Sequence, residues 1–324
     1  MAKKKVEPTP SASSDELSAG HLLARNIALW GLVATLGVTA STLGFSKLKK
    51  HVESRYATPD QPPIVVLKNR PVWMNDALAR RIEEVARPNS AGSSFDQSIL
   101  REVHDQLLSD PDLGRWVEKV NRVRRVYGGS PGDTVEVDAT FRVPAALVRF
   151  DGDFWLVDAK GIKLEQIQAE MVPRVVLGQD GKLLIRVIDG VTRRPPDPGR
   201  LASDDLSAGL ELLRLLHDQT FAQEIVKIDV SNFSGRVDPA AAHLVLVTRY
   251  NTEIRWGRPV NTKHNFGEVD DRRKLMYLDR IAAEFGQVDA RRPWIDVRFD
   301  RPIYPKPAVT AATGGAATVA SDSR

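Results

Sequence analysis

The residue types that commonly carry catalysis are present in this chain, but they do not stand at catalytic spacings. No zinc-protease, Walker or dinucleotide-binding motif occurs in the 324 residues. His217 follows a leucine-rich helical pattern, where an imidazole interacts well with the last carbonyls, and His243 and His264 are expected to be solvated. We therefore predict no catalytic residue, no metal site and no cofactor.

The acidic pairs also have a structural interpretation. Asp204-Asp205 and Asp270-Asp271 each stand where a helical pattern begins, so they are expected to cap helices rather than hold a metal. The net charge of +4 comes largely from lysines in the first fifty residues, which favours a membrane surface over nucleic acid as the partner. No nucleic acid and no small-molecule substrate is expected. The absence of cysteine excludes disulfides and thiolate chemistry.

An uncharged apolar run precedes all of these residues. It extends from Ile27 through Trp30 and Leu36 to Phe45, and about nineteen helical residues span the hydrocarbon core of a bilayer. The sequence therefore predicts a single N-terminal transmembrane helix over residues 26–46, with membrane lipid as a partner. A cleaved signal peptide is the competing interpretation, but its apolar region is usually only about 7–15 residues long.

The orientation follows from the flanking charges. Basic residues at the start of the chain favour a cytoplasmic N-terminus, although Lys47, Lys49 and Lys50 weaken the asymmetry. The expected location is the inner (cytoplasmic) membrane, single-pass, with the bulk of the chain extracytoplasmic.

The remaining patterns predict an α+β fold in two units. Residues 64–143 give the order strand, helix, helix, strand, strand, with Asn75 and Asp76 as candidate N-caps of the first helix. Clear alternation follows residue 134. Residues 144–305 read as a strand-rich β-domain with flanking helices and a hairpin turn at Asp151-Gly152-Asp153. The predicted divisions are a disordered cytoplasmic tail (1–25), the membrane helix (26–46), a linker (47–63), the two units (64–143 and 144–305) and a disordered tail (306–324).

A function without catalytic residues remains possible for such a chain. A sheet with an accessible edge accepts a partner's strand through backbone hydrogen bonds. The last predicted strand, residues 294–299, is the natural candidate for that edge.

Several short strings, in this order, resemble the FtsQ/DivIB family of bacterial cell-division proteins. The strings are Gly114-Arg115-Trp116-Val117, Pro131-Gly132-Asp133-Thr134-Val135-Glu136-Val137, Arg142-Val143-Pro144-Ala145-Ala146, Trp155-Leu156-Val157-Asp158-Ala159-Lys160-Gly161, Ile254-Arg255-Trp256-Gly257-Arg258 and Trp294-Ile295-Asp296-Val297-Arg298-Phe299. Three features depart from the family. Lys68 follows the first strand where a glycine is usual, Phe141 replaces an acidic residue, and residues 182–203 form an expanded segment.

The resemblance implies a POTRA-like domain of βααββ order followed by the β-domain, in a non-enzymatic scaffold of the division complex at the septum. It implies partners of the FtsB/DivIC and FtsL type, bound by strand addition near the C-terminal edge. The implied partner-binding residues are Trp294, Ile295, Asp296, Val297, Arg298, Phe299 and Tyr304.

Two other functions remain open at this point. A POTRA-bearing envelope adaptor for protein export or outer-membrane assembly would share the same order of elements. An anchored hydrolase would require a cavity that brings acids and a histidine together.

Overall fold

The computed structural model of the chain describes residues 41, 44–51, 62–89, 97–126, 134–178, 181–263 and 267–305. The strands are β1 (Ile64–Leu67), β2 (Val117–Val126), β3 (Thr134–Phe141), β4 (Pro144–Phe150), β5 (Asp153–Asp158), β6 (Lys163–Ile167), β7 (Arg186–Asp189), β8 (Ile225–Asp229), β9 (Leu244–Thr248), β10 (Glu253–Gly257) and β11 (Trp294–Asp296). The helices are α1 (Asp76–Val85), α2 (Ser98–Ser109), α3 (Val172–Val176), α4 (Asp204–Leu216) and α5 (Asp271–Phe285), with short 3₁₀ turns between them.

The first three strands form a sheet of their own, in the order β1-β3-β2. β1 runs parallel to β3, and β2 runs antiparallel to it. Alternate residues of a strand face opposite sides, so Val135 and Val137 are buried while Glu136 lies on the other face. The order strand, helix, helix, strand, strand is the one that the sequence predicts.

Two of the predicted helix caps are confirmed. The side chain of Asn75 accepts a hydrogen bond from the backbone N–H of Leu78 at 2.8 Å, and that of Asp270 accepts one from the N–H of Arg273 at 2.8 Å. Each bond satisfies a backbone donor that the first turn of a helix leaves without an intrahelical partner.

The other eight strands form one mixed sheet, in the order β11-β10-β9-β8-β7-β4-β5-β6. The predicted hairpin joins β4 to β5, and the parallel pairs are β4 with β7, β7 with β8, and β10 with β11. Residues of α4 and α5 share a hydrophobic cluster with one face of this sheet. The strand β6 was not predicted.

Both faces of β4 are buried, which explains its continuous apolar sequence. Ala146 and Val148 lie in the cluster with α4 and α5, whereas Leu147 between them lies in the cluster of the three-stranded sheet. Leu156 and Leu164 join Leu147 in that second cluster. The two sheets therefore share a hydrophobic core.

The expanded segment is held against the rest of the fold by its side chains. The guanidinium of Arg194 lies 4.5 Å from the ring centroid of Trp155. The carboxylate of Asp197 pairs with Lys163 of β6 at 3.0 Å and with Arg115, next to β2, at 3.3 Å. This segment therefore connects the edge of the large sheet to the small one.

A buried carboxylate fixes the start of α4. Asp205 is 2% exposed, and its Oδ2 accepts hydrogen bonds from the backbone N–H and hydroxyl of Thr192 and from Nη1 of Arg236, each at 2.8 Å. Burial alone would raise the pKa of Asp205, but these bonds outweigh it and lower the pKa to about 2. The expectation that Asp205 caps a helix is thus replaced by a role as the centre of a network.

The stability of the fold should depend on this carboxylate in acid. Because the folded pKa of about 2 lies below the ordinary aspartate pKa of 3.8, the contribution of Asp205 to stability is complete above about pH 4 and is lost as the pH falls toward 2. We expect the loss to be about 2 kcal/mol of unfolding free energy. Urea unfolding across this range should show a steeper decline for the native chain than for Asp205→Asn, and parallel pH profiles would contradict the assignment.

The membrane part of the predicted fold class is wrong. No helix in the described ranges is long and apolar enough to cross a membrane. Of the predicted span only residues 41 and 44–46 are described, and the helical stretch 44–51 is short, carries three lysines and leaves Phe45 73% exposed. A span needs about 20 consecutive apolar residues.

The fold class is therefore corrected to a mixed α/β arrangement with two strand-rich sheets, and the single-pass inner-membrane localisation is corrected with it. Ile27, Trp30 and Leu36, the two predicted disordered tails and His264 lie outside the described residues.

Candidate partner-binding site

The strand β11 ends the hydrogen-bonded ladder of the large sheet beside β10. The N–H of Glu253 donates to the carbonyl of Pro293 at 3.2 Å, and the N–H of Val297 donates to the carbonyl of Arg255 at 3.3 Å. Backbone polar groups of successive strand residues alternate in direction. Trp294 and Asp296 therefore direct their N–H and C=O groups away from β10.

This outer side is covered at one position by the chain's own next segment. Asp296 N–H donates to the carbonyl of Ile303 at 2.7 Å, and Ile303 N–H donates to the carbonyl of Asp296 at 2.9 Å. We call residues 301–304 the covering segment. The predicted edge is therefore not fully open.

Within the described residues, the pairing between β11 and the covering segment does not extend beyond Asp296 and Ile303. Pro305, which would stand opposite Trp294, has no N–H to donate. At the other end, Arg298 N–H donates to the Asp296 carboxylate at 3.1 Å, and its carbonyl accepts from Val269 N–H at 2.7 Å. The covering segment is held to β11 by a single pair of backbone hydrogen bonds.

Side chains fix the two ends of this segment to α5 and its surroundings. The ring of Tyr304 meets that of Phe285 edge to face, with centroids 6.4 Å apart, and the Arg292 guanidinium lies 5.4 Å from the Tyr304 ring. The hydroxyl of Tyr277 donates to the carbonyl of Asp300. Ile303, in the middle, remains 43% exposed.

The predicted site residues divide into two groups. Ile295 and Val297 are 0% exposed and belong to the core, so they position the strand and do not contact a partner. Trp294 is half-buried beneath the Arg255 guanidinium at 4.4 Å, and Phe299 is 40% exposed. The strand itself stops at Asp296, three residues before the predicted end.

The guanidinium of Arg298 makes polar contacts with other residues of the fold. Its Nη2 lies 2.8 Å from Oδ2 of the buried Asp296, its Nε lies 3.0 Å from Oδ1, and its Nη1 donates to the carbonyl of Ala240 at 3.0 Å. The hydrogen bonds with Asp296 raise the pKa of the guanidinium. This bidentate pair stiffens the turn after β11.

A buried charged cluster that was not predicted from the sequence lies beneath this end of the sheet. Lys274 is 2% exposed, its Nζ lies 2.9 Å from Oε2 of Glu268, and it sits 5.2 Å from the Trp256 ring. His243, expected in solvent, is only 9% exposed, and burial together with the charge of Arg258 lowers its pKa. The available signal was the position of Lys274 on the helical face of α5 that is otherwise apolar.

A cavity of about 810 Å³ lies elsewhere, between α4 and the starts of β4 and β7. Its wall includes Arg186, whose Nε and Nη2 donate to the carbonyls of Ile225 and Ala222 at 3.1 and 2.5 Å. Burial lowers the pKa of this guanidinium. His217, Glu211 and Asp218 line the same cavity. Arg186 thus joins β7 to the turn before β8, and nothing in its contacts specifies a ligand.

A metal site would need several ligating side chains together, and no group of three such residues with that geometry occurs in the parts of the chain that the structure describes. The chain matches no protein-family model, and no curated protein is significantly similar to it.

Proposed function

We propose that this protein is a non-enzymatic scaffold of a bacterial division complex, and that it binds partner proteins by strand addition at the C-terminal end of its large sheet. Partners of the FtsB/DivIC and FtsL type are part of the proposal, through the resemblance to the FtsQ/DivIB family. The arrangement of residues 64–141 supports the resemblance, because its βααββ order stands where that family has a POTRA domain.

The observation that carries the proposal is the outer side of β11. Trp294 and Asp296 direct two N–H and two C=O groups away from β10, and one pair of hydrogen bonds to Ile303 engages only the two groups of Asp296. An edge of this kind provides backbone hydrogen bonds for affinity and side-chain contacts for specificity. Phe299 supplies partly exposed aromatic surface beside it.

The test replaces one outward-facing N–H. Trp294→Pro removes a donor that points away from β10, and so leaves the bonds between β10 and β11 in place, whereas Trp294→Ala removes the side chain and keeps the donor. Each is expressed as a fluorescent fusion in cells depleted of the native chain. We expect the Ala variant to concentrate at the septum and restore division, and the Pro variant to leave cells filamentous.

Three results would contradict the proposal. They are uniform distribution of the native fusion, normal division after depletion, and full function of Trp294→Pro. Export defects without a block in septation would favour an envelope adaptor instead. Circular dichroism of both purified variants should show the native fold, so that loss of function is not loss of structure.

A further inference from the structure

We propose that the partner strand binds by displacing the covering segment, residues 301–304, and that it carries an apolar residue followed by an aromatic one in the places of Ile303 and Tyr304. This inference rests on the proposed strand addition and specifies its partner and its regulation. The chain's own segment then acts as a built-in competitor for the edge.

The outer side of the covering segment is a poor place for a further strand. Ile303 already directs its N–H and C=O toward Asp296, so the residues that face outward are Pro302 and Tyr304. Pro302 and Pro305 have no N–H, which leaves Tyr304 as the only outward donor over residues 302–305. Prolines on an edge are a common means of preventing further pairing.

The inner position offers more to a partner. Beside β11, a strand without prolines can pair with both Trp294 and Asp296, whereas the covering segment pairs with Asp296 alone. Displacement therefore exchanges two backbone hydrogen bonds for as many as four. The covering segment remains tied to the fold by the bond from Tyr277 to Asp300, so release does not require α5 to unfold.

The side-chain contacts specify the partner's sequence. Tyr304 is the anchor of the covering segment, since it packs on Phe285 and lies beneath the Arg292 guanidinium. A displacing strand must fill this place with an aromatic ring to recover both contacts. Opposite Asp296 it needs an apolar residue that tolerates partial exposure, as Ile303 does at 43%.

Hydrogen exchange of the native full chain tests the first requirement, which is that the segment opens. The Ile303 amide should exchange at least about 100-fold faster than the amide of Ile254 in β10, because local opening needs less free energy than global unfolding. Equal rates at the two amides would overturn displacement, since the segment would then be released only when the whole fold unfolds.

A reversible lock tests displacement itself. The chain has no cysteine, so Asp296→Cys with Ile303→Cys gives one possible disulfide, between residues whose pairing places their Cα atoms about 5.5 Å apart. Arg298→Met accompanies them in both redox forms, so that the guanidinium is not left buried without its carboxylate. The probe is a fluorescein-labelled hexapeptide with the sequence of residues 300–305 and threonine in place of both prolines. We expect the reduced protein to bind it at least about tenfold more tightly than the oxidised protein.

The outcomes separate this inference from the proposed function. Equal binding to both redox forms would overturn displacement and still support strand addition, on the outside of the covering segment. Binding to neither form would overturn the inferred partner sequence. The Trp294→Pro experiment tests strand addition independently. A peptide with alanine at the tyrosine position is the matched control and should bind the reduced protein more weakly.

Discussion

Replacement of Glu268 by alanine is expected to destabilise the fold by about 3–5 kcal/mol. Glu268 Oε2 accepts hydrogen bonds from Lys274 Nζ at 2.9 Å and from the backbone N–H of Arg258 at 3.0 Å. The side chain of Lys274 is 3% exposed, so its ammonium group would lose its carboxylate partner without gaining water. Removing one member of a buried pair leaves a charge in a medium of low dielectric constant.

The control is an ion pair of similar length at the surface. Lys160 and Glu118 lie 2.7 Å apart with side chains 71% and 39% exposed, so Glu118→Ala should change the free energy of unfolding by less than about 1 kcal/mol. The double variant Glu268→Leu with Lys274→Met should recover most of the loss, because no charge is then buried alone. Urea denaturation measures all three variants. Similar losses for the buried and exposed pairs would show that burial does not strengthen the contact.

Replacement of Gly190 by alanine is the second large effect that we expect. Gly190 has φ +83°, and a Cβ atom there would lie 2.5 Å from the backbone nitrogen of Ser231 and 2.6 Å from its Cα. Left-handed backbone costs a residue with a side chain about 1–2 kcal/mol, and overpacking against backbone adds about 1–3 kcal/mol. The variant should therefore lose about 3 kcal/mol or more of unfolding free energy.

Gly152 provides the matched comparison. Its φ of +85° is almost the same, but a Cβ atom there would meet nothing within 4 Å. Gly152→Ala should therefore show the conformational cost alone, about 1–2 kcal/mol. The difference between the two variants, measured by chemical denaturation, isolates the contact with Ser231. Equal losses would mean that the backbone around Ser231 shifts to make room.

The first of these effects bears on the proposed partner-binding site, because Glu268 and Lys274 lie beneath the end of the sheet that carries β11. Glu268 immediately precedes Val269, whose N–H donates to the carbonyl of Arg298 just beyond β11. Loss of the buried pair should therefore loosen the turn after β11 as well as the core. The proposed displacement requires this arrangement, because the covering segment must open while the strands beneath it keep their pairing.

The sequence alone was sufficient for features that depend on near neighbours in the chain. The caps at Asn75 and Asp270 and the hairpin turn at Asp151-Gly152-Asp153 are local, because a cap acts within three residues and a two-strand turn within four. Alternation identified β3 because its side chains meet opposite environments at every second residue. The membrane prediction was wrong, because it took the apolar length of one segment as evidence for a span.

Only the tertiary structure decided which strands became neighbours. Nothing local in β4 indicates that it pairs in parallel with β7, or that both of its faces are buried by different parts of the chain. The burial of Lys274 against Trp256 likewise depends on the packing of a helix on a strand.

The same limit applies to the candidate site. The sequence predicts one terminal strand over residues 294–299. In the structure the strand ends at Asp296, Ile295 and Val297 are buried, and Ile303 pairs with Asp296 at the edge. The sequence therefore determined which segments form strands. Long-range pairing determined which of their hydrogen-bonding groups a partner can reach, because strand pairing is set between residues distant in sequence and not within either strand.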